Sequence, residues 1–173
     1  MSFSRSVEMV RALSQRFNEV RKQAVQSLPQ ARSAPFNTIL EIIEGAVKAS
    51  ETASEIEERA GLKGKGVKRV CGNWLLVNEG DRVGLVKMKP LRVIAHDIGR
   101  GVLTLANETV RLEISGNGIA ISFRGYRVDL GRLDLEYVAS RADEIKTLGR
   151  YVKGLVDYIV ATMEVCVKSL RAP

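Results

Sequence analysis

The stretch LTLANETVRLEISGNGIAISFRGYRVDL, residues 103–130, decides the fold. Apolar side chains recur at every second position and are interrupted by Asn, Gly and Arg-Gly punctuation, the pattern of half-buried strands joined by tight turns. A turn at Asn117-Gly118 sets Ile114 opposite Ile121 and Leu112 opposite Phe123. A second turn at Arg124-Gly125 sets Val128 opposite Ile121 and Leu130 opposite Ile119. A third at Asn107-Glu108 sets Leu105 opposite Val110 and Leu103 opposite Leu112. All three registers put the same apolar residues on one face, so Arg92 to Leu130 is expected to be an antiparallel meander.

Outward from this core the period changes. Phe3, Val7, Val10, Leu13, Phe17, Val20 and Ala24 recur at steps of three and four, an amphipathic helix that Pro29 and Pro35 are expected to end. Ile39, Leu40, Ile42, Ile43, Ala46 and Val47 cover most of a helix circumference, so a short buried helix is expected there, closed by Ser50. Thr52 and Glu55 have capping-box spacing ahead of another helix, which Gly61 can end. From residue 63 to 77 the sequence leaves helix or strand open: Val67, Val70, Trp74 and Val77 have helical spacing, but Gly64, Gly66 and Gly72 oppose it.

At the other end Ile145, Leu148, Val152, Leu155, Ile159, Thr162 and Cys166 form a heptad-like seam. A helix this long outreaches a small sheet, so it is expected to pair with another subunit or with the N-terminal helix. Ile145, Leu148, Val152, Leu155, Ile159 and Cys166 are therefore the candidate oligomerisation residues. The expected fold class is α+β: N-terminal helices, a small antiparallel meander and a long zipper-like terminal helix. The expected divisions are 1–33 for the first helix, 34–90 for a basic helical region, 91–132 for the meander and 133–173 for the oligomerisation helix.

The chain has 173 residues, 45% hydrophobic and 27% charged, enough to bury a core. Lys and Arg outnumber Asp and Glu by 27 to 20, which favours polyanionic partners. No run is long and apolar enough for a membrane span, and the start lacks a secretory signal, so a cytoplasmic protein with no membrane partner is expected. Cys71 and Cys166 lie far apart without metal-site spacing and read as two buried thiols. Gly61 and Gly66 have P-loop spacing, but Val67 and Lys68 follow where Lys and a hydroxyl are required. His96 is the lone imidazole, with no cluster of ligands beside it. Neither an enzyme, a metal site nor a cofactor is expected.

Between Lys63 and Arg69 four of seven residues are basic, and Trp74 follows closely. Cations neutralise phosphates and aromatic rings stack on unpaired bases, so the combination suits a nucleic acid with exposed bases. Flanked by Leu75 and Leu76, Trp74 also reads as a core residue. The candidate phosphate partners are Lys63, Lys65, Lys68, Arg69, Arg82, Lys87, Lys89 and Arg92, with Arg111, Arg124 and Arg127 on the meander. The meander register sets Arg111 beside Arg124, with Glu113 as the neighbour that offsets them. Phe123 and Tyr126 share parity with the apolar face and are expected to pack. The expected function is single-stranded DNA binding with little sequence specificity, by an oligomer. RNA or duplex DNA as substrate, and a coiled-coil adaptor, stay open.

Two resemblances bear on this. Residues 38–88, with helices at Thr38 to Lys48 and Thr52 to Ala60, Gly61-Leu62 at the turn and Val83 to Met88 as a wing strand, resemble a winged helix-turn-helix. That likeness implies a third helix carrying Lys63, Lys65, Lys68 and Arg69 into a duplex groove, in a transcriptional regulator. The whole layout, with its Leu103 to Leu130 meander and Ile145 to Cys166 seam, resembles the ThermoDBP group of single-stranded DNA-binding proteins of thermophilic archaea. This resemblance implies binding of single strands in clefts or between subunits, and oligomerisation through a C-terminal zipper.

Overall fold

A computed structural model of the chain describes residues 2–172. The fold is α+β. Two helices, α1 (Ser2–Ser27) and α2 (Gln30–Ala60), precede eight strands, and a short α3 (Leu135–Ser140) leads into the long α4 (Ala142–Arg171). The strands are β1 (Gly66–Cys71), β2 (Trp74–Asn78), β3 (Arg82–Lys87), β4 (Arg92–Asp97), β5 (Val102–Asn107), β6 (Val110–Ile114), β7 (Ile119–Phe123) and β8 (Tyr126–Leu130). They form one antiparallel sheet in strict chain order. The meander is thus larger than expected and crosses the 90/91 division. Helices and sheet share one buried cluster.

α1 follows its sequence pattern: Phe3, Val7, Val10, Leu13, Phe17 and Ala24 are all buried. It ends at Ser27, and Pro29 stands just ahead of α2, where its missing N–H costs nothing. Pro35 does not end a helix. It lies buried near the start of α2, where a proline removes a single hydrogen bond. The break expected near residues 50 to 52 is also absent. The Ser50 hydroxyl donates to the Ala46 carbonyl at 2.9 Å and the Thr52 hydroxyl to the Lys48 carbonyl at 2.8 Å. Both polar side chains are satisfied by the turn before them, so neither caps a new helix. Gly61 does end α2, in the left-handed conformation at φ 65°.

From residue 67 to 77 the chain is strand, β1 and β2, so no recognition helix exists and the winged-helix reading fails. The wing strand corresponds to β3 of the meander. Within the sheet the apolar face is as expected, but two hairpins pair two residues away from the expected register. Ile114 pairs with Ile119 and Leu112 with Ile121, because the turn residues are Gly116-Asn117, closed by the Ser115 N–H on the Gly118 carbonyl at 2.9 Å. Gly118 is needed there, since a Cβ would lie 2.1 Å from the Leu130 carbonyl oxygen. Leu103 pairs with Ile114 and Leu105 with Leu112, because the Asn107 side chain accepts from the Thr109 and Val110 N–H groups and moves the turn to Glu108-Thr109. The third hairpin has the expected pairs, Ile121 with Val128 and Ile119 with Leu130.

α2 packs chiefly on α1 and α4, while α4 crosses the sheet from β1 to β7. Ile145, Leu148, Val152, Leu155, Ile159 and Cys166 are all buried inside the single chain. The zipper expectation is therefore corrected: the seam is spent on the sheet and on α2, not on a second subunit or on α1. Two glycines allow the close approach of α2 and α4, since a Cβ on Gly45 would meet Val156 at 2.6 Å and one on Gly149 would meet Thr38 at 2.7 Å. At the far end the Arg171 guanidinium grips Glu55 with bonds of 2.5 and 2.6 Å, which holds the Glu55 carboxyl below its ordinary range.

The two cysteines are not separate thiols. Cys71, at the end of β1, is bonded to Cys166 of α4, with Cα atoms 5.4 Å apart. The edge strand is thereby tied to the terminal helix across 95 residues, a spacing that shows no motif because the tertiary fold alone brings the ends together. His96 is buried at the α1–β4 contact, its Nδ1 2.6 Å from the Ser6 hydroxyl. Burial pushes its pKa below the ordinary value, and the Arg5 charge pushes the same way against Asp97.

Two predictions follow from these contacts. A loop this long restricts the unfolded chain by about 4–5 kcal/mol in the chain-entropy picture. Reduction, or Cys166→Ser, is expected to lower the thermal midpoint by about 10 °C, read by circular dichroism with and without reductant. For His96, the unfolded chain takes up its proton at a higher pH than the folded one. Stability is therefore full above the unfolded pKa and falls as pH drops from about 7 toward the lowered folded value. His96→Gln should flatten that part of a urea-midpoint profile against pH.

Candidate nucleic-acid interface

In an antiparallel meander alternate turns lie at the same end of the sheet. The turns after β1, β3, β5 and β7 share one end, and with them Lys87, Lys89, Arg92, Phe123, Arg124 and Tyr126. The flank of α4 that faces neither α2 nor the sheet core carries Tyr151, Gly154, Tyr158, Thr162 and Val165 at helical spacing, and it lies beside this end. Tyr158 receives two cations on its ring: the Arg92 guanidinium carbon lies 4.7 Å from the ring centroid and the Lys87 amine 6.0 Å. Two turns earlier Tyr151 stacks on Phe123, centroids 4.5 Å apart. Arg124 lies over Phe123 and Arg150 over Tyr151, each at 5.3 Å. The result is a strip of alternating rings and cations along the junction of sheet and helix.

Its electrostatics differ from the rest of the surface. Lys87, Lys89, Arg92, Arg124 and Arg150 enter no ion pair among the described residues. Lys87 donates to the Lys89 carbonyl and Arg92 to the Leu91 carbonyl, bonds that position the cations without neutralising them. The turns at this end carry one carboxylate, Glu108. Tyr126 closes the strip, its hydroxyl donating to Glu144 at 2.9 Å, which raises the phenol pKa. At the opposite end the strip runs into a groove of about 380 Å³ lined by Asn73, Trp74, Lys87, Thr162, Val165 and the Cys71–Cys166 bridge.

The candidate cations thus divide. Lys87, Lys89, Arg92 and Arg124 come together. Lys63, Lys65 and Arg82 lie toward the other end of the strands, and Lys65 packs against Gly80. Lys68 turns back to cap α2 through the Ala60 carbonyl. Arg69, Arg111 and Arg127 share the outward face of the sheet. There Arg127 bonds Glu113 at 2.8 Å, and Arg111 lies 3.7 Å from the same carboxylate. Glu113 is the offsetting neighbour, as expected, but Arg111 pairs across the sheet with Ser122 and not with Arg124. Trp74 is 2% exposed and belongs to the core, so it is not a stacking platform.

Of the accessible rings, Tyr151 and Tyr158 were not singled out by sequence reasoning, and Tyr126, expected to pack with the apolar face, is exposed instead because it lies at the end of its strand. Tyr151 is 41% exposed and Tyr126 55%. Phe123 and Tyr158 are half-buried. Phe123 does pack, against the edge of the core and on the Tyr151 ring. The available signal was the seven-residue spacing of Tyr151 and Tyr158 just off the apolar seam. Comparison of the chain with protein-family models, with curated proteins and with solved structures finds no match. Among the described residues no helix is long and apolar enough to cross a membrane, and no group of His, Cys, Asp and Glu is arranged to hold a metal.

Unpaired cations bind a polyanion more strongly than cations already neutralised by a carboxylate. Arg124→Asn, chosen because Arg124 has φ 49° and Asn tolerates that conformation, combined with Arg150→Gln should elute from heparin at clearly lower salt than the parent. Arg111→Gln should elute where the parent does.

Proposed function

We propose that this protein binds single-stranded nucleic acid, DNA first, with little sequence specificity, along the strip between α4 and the turn end of the sheet. The observation that carries the reading is the interleaving of uncompensated cations with accessible rings in one line. Phosphates would meet Lys87, Lys89, Arg92, Arg124 and Arg150, while unstacked bases would lie on Tyr151, Phe123 and Tyr158. Base–aromatic stacking contributes about 1–3 kcal/mol per base and is indifferent to sequence, because every base has a flat face. The segment from residue 66 to 78 forms strands β1 and β2 and supplies no recognition helix for a major groove, which disfavours duplex readout. The resemblance to the ThermoDBP group points to the same substrate.

No catalytic step, metal or cofactor belongs to the proposal. Nor does a terminal zipper, whose seam is buried in the monomer; self-association would have to use another surface. A cytoplasmic site of action is included, and a structural disulfide fits a cytoplasm best in a hyperthermophile, where such bonds persist.

The test is fluorescence polarisation with labelled single-stranded DNA, duplex DNA and single-stranded RNA at two salt concentrations. Single-stranded DNA should bind more tightly than duplex, with affinity falling steeply as salt rises because each neutralised phosphate releases counterion. Absence of binding to any of the three at low salt would overturn the reading. Equal affinity for duplex would reduce the strip to a phosphate contact.

A further inference from the structure

Gly154 stands in the middle of α4, where glycine has poor helix propensity. The other two glycines inside the long helices have a packing reason: Gly45 and Gly149 admit side chains of the facing helix. Gly154 has none. A Cβ built there meets no atom within 4 Å, and the residue is exposed. It lies three residues after Tyr151 and four before Tyr158, on the same flank. The helix therefore presents bare backbone between two rings, one stacked on Phe123 of β7 and the other under Arg92 of β4.

Glycine in an element interior with no protein neighbour is the arrangement that lets a ligand approach the backbone closely. We propose that the gap at Gly154 receives one nucleobase of the bound strand. The base lies across the helix backbone between Tyr151 and Tyr158, with its flanking phosphates on the Arg92 and Arg124–Arg150 sides. The inference rests on the function proposed above and sharpens it. A base that enters the gap must be free of its complement, so the gap selects single strands, whereas the cations alone would hold either form. The surrounding charge agrees, since among the described residues the cations that flank the two rings have no carboxylate partner.

The test compares the parent with Gly154→Ala and Gly154→Leu, using a fluorescein-labelled oligothymidylate of about 12 nucleotides and a duplex of equal length. Both variants replace a poor helix former by a good one, so the thermal midpoint should hold or rise by about 2–4 °C, which keeps misfolding from explaining a loss. Gly154→Leu is expected to weaken single-strand binding at least tenfold, and Gly154→Ala less, while duplex binding stays within twofold of the parent. A 2-aminopurine-substituted strand should be quenched on binding the parent and not on binding Gly154→Leu. Parent-like single-strand affinity in Gly154→Leu would overturn the gap as a base site and leave the strip standing. An equal loss for strand and duplex would overturn it too, because the side chain would then obstruct phosphate contact only. A parent that binds no single strand removes the proposed function and this inference together.

Discussion

One helix has to satisfy two packing surfaces, and the rest of the molecule follows from that. α4 buries Gly149, Val156 and Val167 toward α2, and Val152, Leu155, Ile159 and Cys166 toward the sheet. A helix has about 100° of rotation per residue, so these two stripes leave only a third flank and a solvent edge. The third flank holds Tyr151, Gly154, Tyr158 and Val165. Its position is not free to vary: once α2 sits on one side and the sheet on the next, this flank must meet the turn end of the meander. The strip of rings and cations is the by-product of a packing constraint. The same constraint buries the heptad-like seam of α4 within the chain.

Net charge says little about where a polyanion would bind, because exposed ion pairs remove cations from use while adding little to stability. The outward face of the sheet is the clearest case. Arg111 and Arg127 look like phosphate partners in sequence, yet both lie within reach of Glu113, and Arg127 also lies 3.7 Å from Asp129. At the turn end the opposite holds: cations are oriented by backbone carbonyls and by ring faces. A cation over an exposed ring gains about 0.5–1 kcal/mol, enough to fix its direction and too little to compete with a phosphate. Orientation without neutralisation is what a polyanion site needs.

The parts of this fold that were legible in the sequence are those governed by one period over many residues. The seven apolar positions of α1 and the alternating face from Leu103 to Leu130 could be read directly. Register was harder, because the Asn107 side chain and the Ser115–Gly118 closure each moved a turn by one residue, which shifts pairing by two and preserves the face. β2 was ambiguous because Trp74 and Leu76 face the core while Leu75 and Val77 are apolar on the outward side, so no alternation remains. The continuity of α2 was hidden by Ser50 and Thr52, whose hydroxyls bond back into the helix. The disulfide was not legible at all, and of the strip only the cations Lys87, Lys89, Arg92 and Arg124 were, not the rings that they meet. Cys71 meets Cys166, and Arg92 meets Tyr158, only after the sheet has formed and α4 has crossed it.

The strip is also a rigid one. Its rings stand on α4 and on the last residue of β7; Lys87 and Arg92 stand on strand ends beside the fully buried Leu85 and Ile94, Arg150 on α4, and Lys89 and Arg124 in the short turns after β3 and β7. The bridge between Cys71 and Cys166 fixes the edge strand against the same helix at the groove end. Side chains on such supports lose less freedom on binding than those on loops, so more of each stacking contact remains as affinity. The basic run from Lys63 to Arg69 contrasts with this. It begins in a loop, Lys68 is already engaged by α2, and none of its cations lies over a ring among the described residues. A dense cluster of positive residues in sequence is therefore divided by the fold, whereas the sheet and α4 bring cations scattered from position 87 to 150 to one edge of the molecule.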